Sequence, residues 1–314
     1  MNAYILRRLL LMPLTVFVLS IFVFTAIRLV PGSVVDQRLT DRNSAEDRRR
    51  LEAHFGLDKP VHVQYVRWVG QVARGDFGES WLTNRSIMAS FKQRMPVTLE
   101  LTALTIVIYV PVGIAIGVFS AVRHNRREDL VVRVTSILGI AVPNFWLATL
   151  VIILPSLWWK YSPPVPFVYF GTDPIRNLQI MLPAAAISAV GGAAFLSRVA
   201  RSEMLEVLRQ DYVRTARAKG LESRVVIFRH ALRNALLPLA TIIGGSVAGG
   251  IAGAVITETI FNIPGMGQYL VGALQTNDLP IVQTWMLVFG TIVVLMNLLV
   301  DLSYTWLDPR VKLK

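Results

Sequence analysis

Six stretches of this 314-residue chain, at about 9–30, 97–121, 134–157, 180–199, 235–256 and 282–306, run almost without charge for roughly the 20 residues that carry a helix across a bilayer. In hydrocarbon the backbone must satisfy its own hydrogen bonds, so an open-chain span can only be helical. The expected fold is an all-α integral membrane protein with six transmembrane helices. Pro111 and Pro143 fall inside the second and third spans, where neighbouring helices can re-satisfy the carbonyls a proline frees. Composition points the same way. Only 17% of the residues are charged and 54% are hydrophobic, against about 25% charged in an ordinary soluble domain. Arg7 and Arg8 before an apolar run give the N-terminus the look of a signal peptide, but the run from Leu9 to Val30 outlasts the 7–15 residues of a signal core. It reads as a retained first transmembrane helix, and residues 1–30 as the first structural segment.

Charge in the short loops sets the orientation. The loop after the second span holds Arg123, Arg126, Arg127 and Arg133, and the loop after the fourth holds Arg201, Arg209, Arg214, Arg217, Lys219, Arg224, Arg229 and Arg233. Both are expected in the cytoplasm. The tail 307–314 adds Arg310, Lys312 and Lys314, while Thr257 to Ile281 carries no Lys or Arg, so both termini are placed inside. Residues 31–95 fall outside by parity despite their arginines, since long loops translocate largely regardless of charge. Val63, Val66, Trp68, Val69 and Val72 lie near helical spacing there, and Gly75, Asp76 and Gly78 mark a turn, so this segment is expected to form a helical cap on the outer face. The five-helix core then occupies 96–306.

The basic loop 201–234 is too long for a tight connection, and its pattern is helical. Leu205, Leu208, Tyr212 and Ala216 make one stripe; Val225, Phe228, Leu232 and Ala235 make another. Two short amphipathic helices with an elbow at Gly220 are expected, Gly220 supplying a left-handed turn and Ala216 and Ala218 allowing another surface to approach closely. Physics alone leaves three readings open: a basic helix lying on anionic lipid, a docking site for a partner protein, and contact with nucleic acid.

The stretch "DYVRTARAKGLESRVVIFRHALRNALLPL" resembles the EAA loop of binding-protein-dependent ABC importer permeases, in the form of the dipeptide, oligopeptide and nickel branch. Arg214, Thr215 and Ala216 stand where the general motif has Glu-Ala-Ala, with Gly220 four residues on. "YILRRLLLMPLTVFVLSIFVF", "FGLDKPVHVQYVRWV", "GDFGES", "VPNFWLA", "TETIFNIPGMGQYLVGAL" and "DLSYTWLDPRVKL" extend the similarity over nearly the whole chain, to the first membrane subunit of such importers. A small departure is Ser33 in "LVPGSVV", where relatives usually have an acid.

The resemblance implies a permease of the type I importer fold. It implies a heterodimer with a homologous second permease, two cytoplasmic ATPase subunits or domains, and an extracytoplasmic binding protein. The loop would be a coupling helix seated in an ATPase cleft, with Arg214, Ala216, Gly220, Leu221 and Glu222 at the contact. In relatives the "TETIFNIPGMG" stretch shapes the outer face where the binding protein docks, which puts Glu258, Asn262 and Gly265 there. Related solutes of the branch are nickel chelate, glutathione and oligosaccharide. A self-sufficient secondary carrier is the rival from another class.

Other chemistry is missing from the residues. There is no P-loop, so ATP and magnesium belong to partner subunits, and no cofactor is expected in this chain. There is no cysteine, no H-E-x-x-H among the four histidines and no G-x-S-x-G. The chain is expected to be a non-catalytic subunit with no metal. Ionisable residues inside spans are functional candidates by default. Glu100, near the outer end of span two, either lines the substrate path or snorkels to the interface. Asn144, Phe145 and Trp146 after Pro143 either face the path or simply pack. Asp301 is expected to pair with a basic neighbour. The small residues from Gly244 to Ala254 allow close helix approach, within the bundle or to a second permease.

Overall fold

A computed structural model describes residues 2–29, 58–160 and 166–307, with positions 46, 49, 53 and 56 between the first two ranges. Ser33, most of the 31–57 stretch, the tail 308–314 and the side chain of Asp301 lie outside the described residues. Helix dominates: α1 (Asn2–Arg28), α2 (Val61–Val72), α3 (Ile87–Val122), α4 (Arg127–Ala141), α5 (Asn144–Trp159), α6 (Pro174–Leu208), α7 (Asp211–Ala218), α8 (Arg233–Ile260), α9 (Met266–Gln275) and α10 (Leu279–Leu307). The turns Ser223–Val225 and Val226–Leu232 lead into α8, the latter wound as π-helix.

Among the described residues, four helices are long and apolar enough to cross a membrane unbroken, in α1, α3, α6 and α10, and two bent pairs bring the count to six if each crosses once. One pair covers the span expected at 134–157 and is broken at Pro143. The α4 and α5 axes meet at 93°. The physical cause is local: the ring of Pro143 denies helical geometry to the residue before it, and Val142 (ψ 124°) and Pro143 (ψ 131°) run extended. Here proline breaks the helix instead of bending it. The second pair, Ser223–Leu236 with Pro238–Val247, bends by 54° around Pro238. Several expected boundaries were also short. α3 has 36 residues and starts in what the sequence assigns to the outer segment, and α6 has 35. At 1.5 Å per residue these helices outrun a hydrocarbon core of about 30 Å.

The chain divides into two compact units. In the first, comprising residues up to Pro96 and Tyr269–Leu298, α2 lies against α1: Ser20 and Tyr65 share a hydroxyl hydrogen bond of 2.8 Å, and the Phe24 and Tyr65 rings meet edge to face at 5.1 Å. Arg28 stacks on Phe24 and donates to Gln64 at 2.7 Å. The helix expected around Val63–Val72 is present, and its C-terminus closes on Gly75 (φ +79°) through Asp76 N–H to Gln71 C=O. Asp278 is buried and fixes the loop before α3, accepting from Ser80 Oγ at 2.5 Å and from Trp81 N–H at 3.1 Å.

In the second unit, Val97–Gln268 and Leu299–Val311, α6 is the central post. It approaches α3 at Gly113 and Gly117, where an added Cβ would lie 2.9 Å from Leu196 Cβ and 2.6 Å from Ala200 Cβ. Leu101, Met181, Ala184, Ala185 and Ile263 form one buried cluster, and Ala189, Leu196, Ala200 and Leu239 belong to the next. Polar pairs add register between helices: Ser136 with Ser197 (3.0 Å) and Ser188 with Thr257 (2.8 Å).

Candidate functional site

The basic connection between α6 and α8 is built around a small anchor. Val213 and Ala216 of α7 are buried against Val226, with Val207 and Leu208 of α6 packed on the same cluster. α7 ends at Gly220 (φ +78°): Gly220 N–H reaches Arg217 C=O at 3.0 Å, and Leu221 N–H reaches Ala216 C=O at 3.4 Å. This pair of bonds is a Schellman motif, which needs a left-handed residue where L side chains are strained. The elbow expected from the sequence is therefore formed by backbone geometry at Gly220.

Outside this anchor the site is open. Arg214, Leu221 and Glu222 are exposed, as are Tyr212, Arg217, Lys219 and Phe228. Leu221 and Phe228 stay 42% and 60% accessible although both are apolar, so this face carries more uncovered hydrocarbon than a solvated loop needs. Arg214 meets Asp211 at 3.3 Å, an exposed i, i+3 pair of little stabilising weight. Residues 209–233 hold seven Lys and Arg against two acids.

Two expectations at this site need correction. Ala216, assigned to the docking contact, is 8% exposed and spends its small side chain on the anchor instead. Tyr212, assigned to the inner stripe, points outward, its hydroxyl accepting from Asn234 Nδ2 at 2.9 Å. The outward turn of Tyr212 follows from a break: Gln210 adopts ψ 147°, so the helical phase counted from Leu205 and Leu208 slips before Tyr212, while Ala216 stays on the inner side where the stripe put it. The second short helix is likewise not separate, because residues 223–232 run on into α8.

At the other end of α8 the "TETIFNIPGMG" stretch folds back on itself. Glu258 is fully buried. Its Oε1 accepts from the Thr98 hydroxyl at 2.5 Å, and its Oε2 from the N–H groups of Gly267 (2.6 Å) and Gln268 (3.1 Å). Thr98 Oγ1 in turn accepts from Met266 N–H at 2.8 Å. A carboxylate thus closes the N-terminus of α9, where orphan N–H groups and the helix dipole favour negative charge. Glu258 is consequently not a surface residue as expected. Gly265 explains itself the same way, since a Cβ there would sit 2.2 Å from Glu258 Oε1. Asn262 remains exposed, in a left-handed conformation (φ +51°), and accepts from Gln268 Nε2 at 2.7 Å.

A third constellation escaped the sequence altogether. Asp129, fully buried at the start of α4, takes a bidentate pair of bonds from Arg201 of α6 (2.7 and 2.8 Å), one from Ser120 Oγ of α3 (2.6 Å) and one from Asn125 N–H (3.1 Å). His124 Nδ1 accepts from Arg201 at 3.1 Å, and Arg133 stands 3.9 Å from the carboxylate. Three helices are tied at one point. Removing one partner of such a buried pair costs about 3–5 kcal/mol. The available signal was the i, i+4 spacing of Asp129 and Arg133 in "EDLVVR", which a count of positive charges passes over.

Of the path candidates, Glu100 is partly buried in α3 and has an Oε1 with no hydrogen-bond partner among the described residues. Asn144, Phe145 and Trp146 form the exposed first turn of α5, just after the Pro143 break.

Residues 113–313 match the family described as binding-protein-dependent transport system inner membrane component, and residues 1–102 match the N-terminal region of such membrane components. The chain is 36% identical to the dipeptide transport system permease protein DppB of Alkalihalophilus pseudofirmus, over 99% of this chain and 100% of the relative. It is 38% identical to a Sinorhizobium fredii protein named "Probable peptide ABC transporter permease protein y4tP", with the same coverage. Among solved structures, an amino acid ABC transporter with histidines superposes with a TM-score of 0.52 at 12% identity, covering 69% of this chain and 94% of that one, a likeness of fold. The chain belongs to the family of binding-protein-dependent transport system inner membrane components, multi-pass permeases of the inner membrane.

Proposed function

We propose that the chain is one of two membrane subunits of an ATP-driven importer that admits peptides delivered by an extracytoplasmic binding protein. The full-length similarity to proteins named as peptide and dipeptide permeases supports the substrate class. The observation that carries the mechanism is α7 itself. It is anchored by Val213 and Ala216 between the end of α6 and the entry to α8, while Arg214 on its outer face and Leu221 and Glu222 just past the Gly220 elbow are exposed. A push on that exposed face is passed to two membrane helices at once, α6 being an unbroken post of 35 residues. Apolar Leu221 and Phe228 would supply contact area in an ATPase cleft, and the surrounding charges would fix register at its rim.

The remaining partners follow from the same arrangement. ATP and magnesium are bound by the ATPase subunits, and this chain performs no bond chemistry. The basic loop and both termini lie in the cytoplasm by the positive-inside rule. Gly245, Gly249 and Gly253 recur every fourth residue on α8, exposed and with nothing within 4 Å of an added Cβ. Such a stripe suits close packing against a homologous second permease. Gly250 instead is used inside, against Thr102. On the outer side, Asn262 is available to the binding protein, while Glu258 and Gly265 shape that surface from beneath. Glu100 and the turn Asn144–Trp146 are assigned to the translocation path.

The test is purification of the tagged chain from its native membrane, wild type beside Gly220→Asp. Wild type is expected to bring down a second permease and P-loop ATPases, and the variant to lose the ATPases. Recovery of the wild-type chain alone, competent for transport without ATP, would overturn the importer. A ligand screen on the cognate binding protein decides peptide against nickel chelate, glutathione or oligosaccharide.

A further inference from the structure

Beside the Asp129 lock, a cleft of ≈ 480 Å³ is lined by Arg133, Phe195, Arg198, Val199, Arg201, Ser202 and Glu203. Its walls are of two kinds. Phe195, 50% exposed, and Val199 give an apolar side. Arg133, Arg198 and Arg201 give a cationic one, and their charge is only partly matched. Arg201 is held bidentate by Asp129, and Glu203 offsets one more unit, which leaves a single positive charge uncompensated. Arg198 has neither an ion pair nor a hydrogen bond among the described residues.

Depth along α6 narrows the ligand. Between Arg176 and Arg198 lie 21 uncharged residues. At 1.5 Å per residue they span roughly 32 Å, about the thickness of the hydrocarbon core. Arg198 therefore emerges at headgroup level, with Phe195 one turn deeper on the same helix face and Ser202 one turn further out. We propose that this cleft is a binding site for an anionic phospholipid whose single phosphate charge is taken by Arg198 and Arg133 and whose acyl chain runs along Phe195 and Val199. Basic pockets between membrane helices recognise anionic headgroups in this way. The lipid would sit against the three-helix tie at Asp129 and brace α6 just before it enters the coupling segment.

The inference goes beyond the transport reading and is read out without transport. The purified transporter complex is equilibrated with phosphatidylglycerol or phosphatidylcholine, and retained lipid is counted by native mass spectrometry. Wild type is expected to keep phosphatidylglycerol in preference to phosphatidylcholine. R198Q is expected to lower its retention about five-fold, the weight of one arginine at a membrane surface. S202W, which fills the cleft and leaves every arginine in place, is expected to lower it too. R126Q, an exposed arginine outside the cleft, serves as control and is expected to leave retention unchanged. Equal retention in R198Q and R126Q would overturn the proposal. So would displacement of the lipid by inorganic phosphate at matched concentration, which would make the ligand a soluble anion.

Discussion

The two ends of α8 are opposites. At its entry, residues 209–233 carry seven cations and leave them exposed, while Val213, Ala216, Val226 and Ala231 are buried beneath. At its exit, from Thr257 to Gln268, there is no Lys or Arg, and a fully buried Glu258 is satisfied by Thr98, Gly267 and Gln268. The proposed joint at the entry leaves its polar groups free for a partner. A clasp that must hold its own fold saturates them internally, because an unsatisfied buried group costs about 1–3 kcal/mol.

Substitutions sharpen this contrast, and the largest effect on the chain's own stability is expected at the exit. Glu258→Ala strands the Thr98 hydroxyl and two N–H groups in the interior, a loss of about 3–5 kcal/mol. Denaturant unfolding of the purified chain in detergent measures it, and an unchanged midpoint would dissolve the distinction between clasp and joint. Gly265→Ala should follow at about 1–3 kcal/mol, because its Cβ would displace the Glu258 carboxylate. The same unfolding series places it, and it should add little on top of Glu258→Ala if both act through one clasp.

Smaller losses of stability are expected at the entry, with larger losses of assembly. Gly220→Ala strains a left-handed position and should cost about 1 kcal/mol, whereas Gly220→Asn, which tolerates that conformation, should cost less. ATPase recovery on co-purification should fall in the same order. Arg214→Ala should leave the unfolding midpoint unmoved yet weaken ATPase binding several-fold in a titration with the purified ATPase. An Arg214→Ala chain that unfolds early would mean that α7 is a fold element and not a joint.

The sequence made the spans, the basic loop and the Gly220 elbow legible, because each is a local signal: a run of about 20 apolar residues, a cluster of charge in a short loop, one residue type suited to φ > 0. It misplaced Tyr212 through a loss of helical phase at Gln210, which a periodic pattern does not register. It placed Pro143 inside a span and left break or kink open; the residue before a proline resists helix strongly enough to turn α5 by 93° from α4.

What this sequence determined by itself is which segments are apolar enough to enter the bilayer and which loop is basic, since transfer to lipid is a property of each segment and adds along the chain. Tertiary structure alone decided where the charged side chains go. Glu258 finds Thr98 160 residues away, and Asp129 finds Arg201 72 residues away. Their burial is favourable only once those distant partners are in place, so neighbouring residues such as Arg133 four places from Asp129 hint at a charge pair but not at its burial.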